Sequence, residues 1–310
     1  MEQSDIRLKQ LVVLSGKGGT GKTSLSASLI HLASQSPHHP VFADADVDAA
    51  NLALVTEAVI EQSHSFLGSY LAEIDSAACQ FCGECARVCR YNAIQTPAKD
   101  RPGYHVDELL CEGCAACVHA CPEAAIQLRQ QQDGEWFQSK TPYGQLFHAE
   151  LFPAAENSGK LVTTVKQQAK LYAEDHACDL LIVDGPPGIG CPVISASAGA
   201  DLALLVAEPG VSGIHDLERI IKTLLAFDVP ILICINKADL YPPGTEDIKA
   251  LAKTYQLPVA GEIPFDDAIP NAITDMQPVT YSAPESPATQ AIKQIWKNIQ
   301  QVLFENGGNA

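Results

Sequence analysis

Residues 15–24 read SGKGGTGKTS. Gly16 to Thr23 fit G-x4-G-K-[ST], the spacing of a phosphate-binding loop. Glycines at Gly16, Gly18, Gly19 and Gly21, with Thr20 between them, let successive backbone N–H groups turn toward one anion. A helix starting at the loop's end adds positive potential. In this pattern Lys22 reaches the β- and γ-phosphates and Thr23 ligates Mg2+. The flanks agree: LVVLS (11–15) reads as a buried strand, and Lys22 to about Ser34 is helical in composition.

Working outward, apolar runs at 40–46, 178–185, 201–209, 230–237 and 258–265 read as further strands. Helical stretches near 159–176, 212–227, 245–255 and 288–304 lie between or after them. That alternation predicts an α/β fold, a doubly wound, mostly parallel sheet of the P-loop NTPase kind. The last helix carries an apolar stripe, Ile292, Ile295, Ile299 and Leu303, with only Lys293 and Lys297 as cations, which reads as core packing. A net charge of -17 in 310 residues argues against nonspecific nucleic-acid binding and against docking on anionic lipid. No signal peptide and no membrane-spanning run is expected, so the chain reads as cytoplasmic without stable membrane insertion.

The segment 76–128 breaks the pattern. It holds eight of the 11 cysteines in two similar runs, CQFCGECARVCRYNAIQ and CEGCAACVHACPEAAIQ. An internal repeat marks a small unit inserted in the α/β domain. The expected organisation is therefore 1–75, first part of the nucleotide domain; 76–128, the insert; and 129–310, the second part, with 129–158 carrying the chain back. The spacing favours metal ligation over disulfides. Zinc is the alternative, although two four-thiolate zinc sites usually show paired C-x2-C knuckles. Cys178 and Cys234 lie on buried strands and read as small hydrophobes. Cys191, in GIGCPVIS, reads either as packing or as a reactive or ligating thiol.

C-x2-C-x2-C-x3-C resembles the bacterial ferredoxins, which implies an α+β ferredoxin-like insert with two [4Fe–4S] clusters. In two-cluster ferredoxins the fourth cysteine of each run serves the other cluster. Carried over, Cys79, Cys82, Cys85 and Cys121 hold one cluster, and Cys111, Cys114, Cys117 and Cys89 the second. Pro122 follows Cys121, whereas Arg90 stands after Cys89.

KGGTGKT (17–23) resembles the deviant-Walker ATPases, the MinD/Mrp group of the SIMIBI class. That resemblance implies that Lys17 reaches across an ATP-closed homodimer to the partner's nucleotide. DADVDAANL (44–52) is similar to the first switch of that group. It implies that Asp46 orients the attacking water and Asp44 lies near Mg2+; Asp48 is either a third participant or a solvated acid. DGPPGIG (184–190) resembles the second switch, which implies that Asp184 holds Mg2+ and Gly188 offers its N–H to the γ-phosphate. Asn236-Lys237-Ala238-Asp239 also fits the guanine-reading N-K-x-D; the resemblance instead implies adenine beside Asn236, with Pro264 and Phe265 flanking the base and Asp266 next to them. Ferredoxin insertions in such ATPases form a subfamily often labelled cobyrinic acid a,c-diamide synthase, but no amidotransferase domain is read here.

Three functions follow as expectations. The first is an ATPase, using ATP/Mg2+, that couples its dimer switch to electron transfer through two [4Fe–4S] clusters to an unidentified redox or iron–sulfur acceptor. The second is a cluster assembly or carrier ATPase of the Mrp type, against which stands the lack of a C-x2-C after residue 200. The third is a MinD-like spatial regulator.

Overall fold

The computed structural model describes residues 7–97, 103–153, 155 and 157–305, with Val211 described in its backbone only. Its strands are β1 (Lys9–Ser15), β2 (Pro40–Asp44), β3 (Val59–Ile74), β4 (Ile94–Gln95), β5 (His105–Val106), β6 (Ile126–Thr141), β7 (Gly144–Leu151), β8 (Leu180–Pro187), β9 (Leu202–Ala207), β10 (Ile231–Asn236) and β11 (Val259–Ile263). Its helices are α1 (Lys22–Ser34), α2 (Leu52–Val55), α3 (Glu84–Val88), α4 (Ala116–Ala120), α5 (Ser158–Asp175), α6 (Cys191–Ser197), α7 (Val211–Leu225), α8 (Pro242–Thr254), α9 (Ala268–Thr274), α10 (Val279–Ser282) and α11 (Pro287–Gln300), the last running into a π-helical turn at Gln301–Glu305. The six strands expected from apolar runs are β1, β2, β8, β9, β10 and β11.

Among the described residues one sheet has the order β11-β10-β9-β1-β8-β2-β7-β6-β3. β1 pairs parallel with β8 and β9, β10 with β9 and β11, and β2 with β7 and β8. Strands buried on both sides need no polar alternation, which is why β9 is apolar throughout and β10 is apolar up to Asn236. Two groups of helices cover them, α1 with α10 and α11, and α5 through α8.

The return segment forms strands, a difference from the sequence reading. β3, β6 and β7 carry few apolar residues in regular alternation, so their pattern is weak. The turn between β6 and β7 is braced by Thr141, whose Oγ1 donates to the Gly144 carbonyl (2.8 Å) and accepts from the Tyr143 and Gly144 N–H groups (both 3.1 Å).

The chain divides into two compact units, one of residues 1–64, 136–150 and 158–310, the other of 65–135 and 151–157, as far as these are described. In the first, the stripe of α11 is core: Ile292, Ile295, Ile299 and Leu303 are all buried. A Cβ on Gly261 of β11 would collide with Ile295, so strand and helix lie in direct contact. Among the described residues no helix is long and apolar enough to cross a membrane.

The second unit contains the cysteine segment. α3 packs on α4, and β4 pairs antiparallel with β5. The internal repeat extends to the backbone. Left-handed residues stand at matching places in the two halves: Phe81 with Gly113, Gly83 with Ala115, and Asn92 with Ala124. Its small core is Ala72, Cys85, Ile94, Cys117 and Ile126.

Ile295→Ala is expected to cost about 2–5 kcal/mol through the cavity it leaves. Urea denaturation of the full chain checks this; an unchanged midpoint would mean that the stripe is not core.

Candidate functional site

The nucleotide-loop residues stand at the C-terminal ends of β1, β2, β8, β10 and β11, where ligands bind in open α/β sheets. The loop leaves β1 at Gly16 and enters α1 at Lys22. Gly21 caps α1 at φ 86°, and no side chain caps the helix. A first turn without a side-chain cap presents its N–H groups to an anion. Gly21 has a second reason to be glycine: a Cβ there would collide with the Asn236 amide.

Lys22 lies within the protein, 6% exposed, against a cluster of carboxylates. Its Nζ donates to Asp184 Oδ1 at 2.9 Å and lies 3.6 Å from Asp46 Oδ2. Burial works to lower its pKa, but Asp184, Asp44 and Asp46 outweigh burial and the net shift is upward. Ser26, one turn along α1 from Lys22, also donates to Asp184 Oδ1, at 2.7 Å. The other oxygen, Asp184 Oδ2, is buried without a hydrogen-bond partner, and so is Thr20 Oγ1. A buried carboxylate oxygen without a donor costs free energy, and a magnesium ion with its waters would satisfy it. The donor set of Thr23 and Asp184 is all oxygen, which suits Mg2+.

Asp44 stands opposite Asp184 across β2 and β8. Both of its oxygens accept from backbone, Oδ1 from the Asp46 N–H and Oδ2 from the Leu52 N–H (both 3.1 Å). It braces the 44–52 loop from within. Burial, then the charge of Asp184, push its carboxyl up to about 7. Asp46 is partly exposed; burial raises its carboxyl and Lys22 opposes. Asp48 is exposed and adds to the upward push on Asp46. The Gly188 N–H, expected to face a γ-phosphate, donates here to the Ser15 carbonyl at 2.9 Å. Lys17 is half-buried, with its Nζ 3.3 Å from Ser212 Oγ on α7.

Beside the loop is a cavity of about 280 Å³ walled by Pro264, Phe265, Ile269 and Ile273, with Asn236 and Gly21 at its polar side. Its apolar wall and polar edge suit a planar base. Asn236 Nδ2 donates to the Thr20 carbonyl (2.7 Å) and ties the phosphate loop to β10. Asp239 Oδ1 accepts from the Phe265 N–H at 2.6 Å and so positions that wall. Asp266 accepts from the Ala268 and Ala288 N–H groups, which hold its carboxyl below the usual range. Ser26 and Asp239's backbone contact were missed; neither carries a signal beyond an ordinary helical serine and an ordinary acid.

In the second unit the eight cysteines line two cavities. Cys79, Cys82, Cys85 and Cys121 line one. Cys89, Cys111, Cys114 and Cys117 line the other. The Ala125 N–H donates to Cys121 Sγ at 3.3 Å. Burial raises the Cys85 and Cys117 thiols. Among the described residues no three His, Cys, Asp or Glu side chains form a group that could hold a metal ion as placed. Cys234 is fully buried and its thiol is pushed up to about 12, the behaviour of a packing residue. Cys178 is buried as well, and Cys191 is exposed at the start of α6.

A mostly parallel α/β sheet with a phosphate loop feeding its first helix defines a P-loop nucleotide-binding protein. The chain belongs to the CobQ/CobB/MinD/ParA nucleotide-binding domain family, whose model matches residues 11–279. An uncharacterized protein of Methanocaldococcus jannaschii is 32% identical over 296 residues, 96% of this chain and 98% of that protein. Septum site-determining protein MinD of Pyrococcus horikoshii, solved with Mg-ADP, superposes with a TM-score of 0.59 at 18% identity, over 97% of this chain and 99% of that one. The cell division ATPase MinD of Pyrococcus furiosus gives 0.57 at 19% identity, over 95% and 99%. At such identity the likeness speaks to the fold.

Ser26→Ala removes a donor from a buried carboxylate and is expected to destabilise the nucleotide-free protein by about 1–3 kcal/mol, read by urea denaturation. A pH effect follows from Asp44. Its folded pKa of about 7 exceeds the value of roughly 4 for an unfolded aspartate, so the folded state binds more protons between these limits. Its contribution is complete below about pH 4 and is lost as pH rises through 7. Comparing denaturation of Asp44→Asn with the parent from pH 4 to 8 isolates it; equal slopes would contradict the assignment.

Proposed function

We propose that this MinD/ParA-family protein is an ATP-hydrolysing switch whose nucleotide state governs a cysteine-rich unit holding two [4Fe–4S] clusters, which pass electrons to a partner protein. In this reading Gly16, Lys17, Gly18, Gly19, Thr20, Gly21, Lys22 and Thr23 cradle the phosphates. Thr23 and Asp184 hold Mg2+, while Asp44 braces the loop that presents Asp46. Asp46 orients the attacking water, and Lys17 reaches the second protomer's nucleotide. Asn236, Pro264 and Phe265 receive adenine. The carboxylate that would read guanine, Asp239, is occupied by the Phe265 N–H, which favours ATP over GTP.

The observation that carries the cluster reading is the crosswise division of thiols. Each cavity takes three cysteines from one run and the fourth from the other, as cysteine spacing in two-cluster ferredoxins requires. A cubane spreads its thiolates wider than a single tetrahedral ion does. Clusters so held supply one-electron chemistry; the protein supplies thiolates and an N–H donor to sulfur. The insert 76–128 then acts as a ferredoxin-like domain within the ATPase. A covalent route connects it to the nucleotide site. Asp44 holds the Leu52 N–H at the start of α2, and β3 leads from there toward Cys79.

A second reading is a MinD-like regulator that positions a partner protein, with the cysteine unit as a docking module. The family membership and the likeness to MinD support it at least as directly as the first. The buried stripe of α11 leaves that helix no free apolar face for a membrane.

Anaerobic reconstitution with iron and sulfide, followed by electron paramagnetic resonance of the reduced protein, separates the two. The first reading expects two cubane signals. Cys121→Ser then disturbs the cluster of Cys79, Cys82 and Cys85, and Cys89→Ser the other. Absence of cubane signals would leave the second reading. Lys17→Ala is expected to abolish ATP-dependent dimerisation and turnover with iron content unchanged; full turnover in that variant would contradict the role given to Lys17.

A further inference from the structure

Lys166 of α5 is a buried cation outside the nucleotide site. It is 5% exposed. Its Nζ donates to the carbonyls of Ser195, Ala196 and Ala198 at 2.7, 2.7 and 2.8 Å. An ammonium has three N–H groups and no acceptor, so all of them are directed at one short stretch of backbone. That stretch is the end of α6, where the last carbonyls lack intrahelical partners. Burial, then the charge of Lys170 one turn along α5, pull the Lys166 pKa down to about 7, and among the described residues no acid opposes them. A buried charge without an ionic partner is costly, and here backbone carbonyls alone offset that cost.

The side chain pins α6 at one end. β1 adds a second tie there, from Gln10 Nε2 to the Ala196 carbonyl at 3.4 Å, and Ala196 and Ser197 are buried. At the other end no side chain caps the helix, and Gly190 and Cys191 are exposed. Gly190 closes the segment 184–190, which carries Asp184 and Gly188. That segment runs from the last residues of β8 straight into α6. It is therefore strung between a central strand and a helix whose far end Lys166 fixes.

We propose that Lys166 is a positioning residue of the ATP site. By pinning the last turn of α6 it sets where the 184–190 segment lies, and so places Asp184 and Gly188 for hydrolysis. The inference rests on the ATP-hydrolysing reading above and not on what the thiols hold.

Three variants of the full chain grade the clamp. Lys166→Arg keeps the charge and the donors, Lys166→Gln keeps two N–H groups on a shorter stem, and Lys166→Met keeps only the stem. ATP turnover, Mg-ADP affinity and melting temperature are measured below pH 7, where Lys166 holds its proton. The expected kcat falls in the order Arg, Gln, Met, by roughly tenfold or more in Lys166→Met, while Mg-ADP affinity stays within about twofold of the parent. A merely structural lysine would lower the melting temperature and leave the kcat of the folded protein alone. That result overturns the proposal, as does full turnover in Lys166→Gln. Hydrogen exchange of residues 184–190 decides the matter if Lys166→Met fails to fold or the parent turns over no ATP. Mg-ADP should slow exchange there in the parent, and should bind Lys166→Gln without slowing it. Equal exchange in the two proteins overturns the proposal, whereas a parent that hydrolyses no ATP counts against the ATP-hydrolysing reading alone.

Discussion

The nucleotide unit depends on one buried ion pair, Lys22 with Asp184 at 2.9 Å. Taking two charges out of water costs several kcal/mol for each, and attraction repays this only with good geometry and further hydrogen bonds. Here Ser26 supplies one such bond, and Asp46 and Asp44 add negative potential around the ammonium. The pair ties the start of α1 to β8. In the reading proposed above, phosphate oxygens would compete for the same ammonium and a magnesium ion for the same carboxylate. In the proposed reading nucleotide binding rearranges this contact, and the rearrangement reaches β8 directly.

The neighbouring contacts share that character. The Gly188 N–H rests on the Ser15 carbonyl, within the loop's own strand. Asp44 holds the 44–52 loop by two backbone N–H groups and carries a carboxyl balanced near neutrality. Each is a small hydrogen-bonded latch, which in the proposed reading a γ-phosphate or a metal exchanges for a stronger contact. A switch needs two arrangements close in free energy, and latches of one or two hydrogen bonds provide that scale.

The phosphate loop was legible because backbone geometry itself is encoded in glycines at set intervals. The terminal helix was legible because four aliphatic residues recur at helical spacing, and they are core. The crosswise grouping of cysteines followed from the x2-x2-x3 rhythm carried by the ferredoxin resemblance, and the thiols do line two separate cavities in that division. β3, β6 and β7 were not legible as strands. The Val59–Gln62 stretch of β3 is exposed and β6 closes its first half with QQQD, so no apolar period announces them. Ser26 and Asp239 escaped because their roles are long-range: each meets its partner only when distant strands are brought together. Asn236 was read as a base contact, and the structure adds its bond to Thr20, which no local pattern reports.

The central claim is that nucleotide state and the cysteine unit are energetically linked. The most direct measurement is the midpoint potential of the reconstituted, anaerobic protein with ADP and with a non-hydrolysable ATP analogue. Linkage is reciprocal, so the account predicts a potential that differs between the two nucleotides and a nucleotide affinity that changes with reduction. Identical potentials in both states, with clusters present, would contradict it.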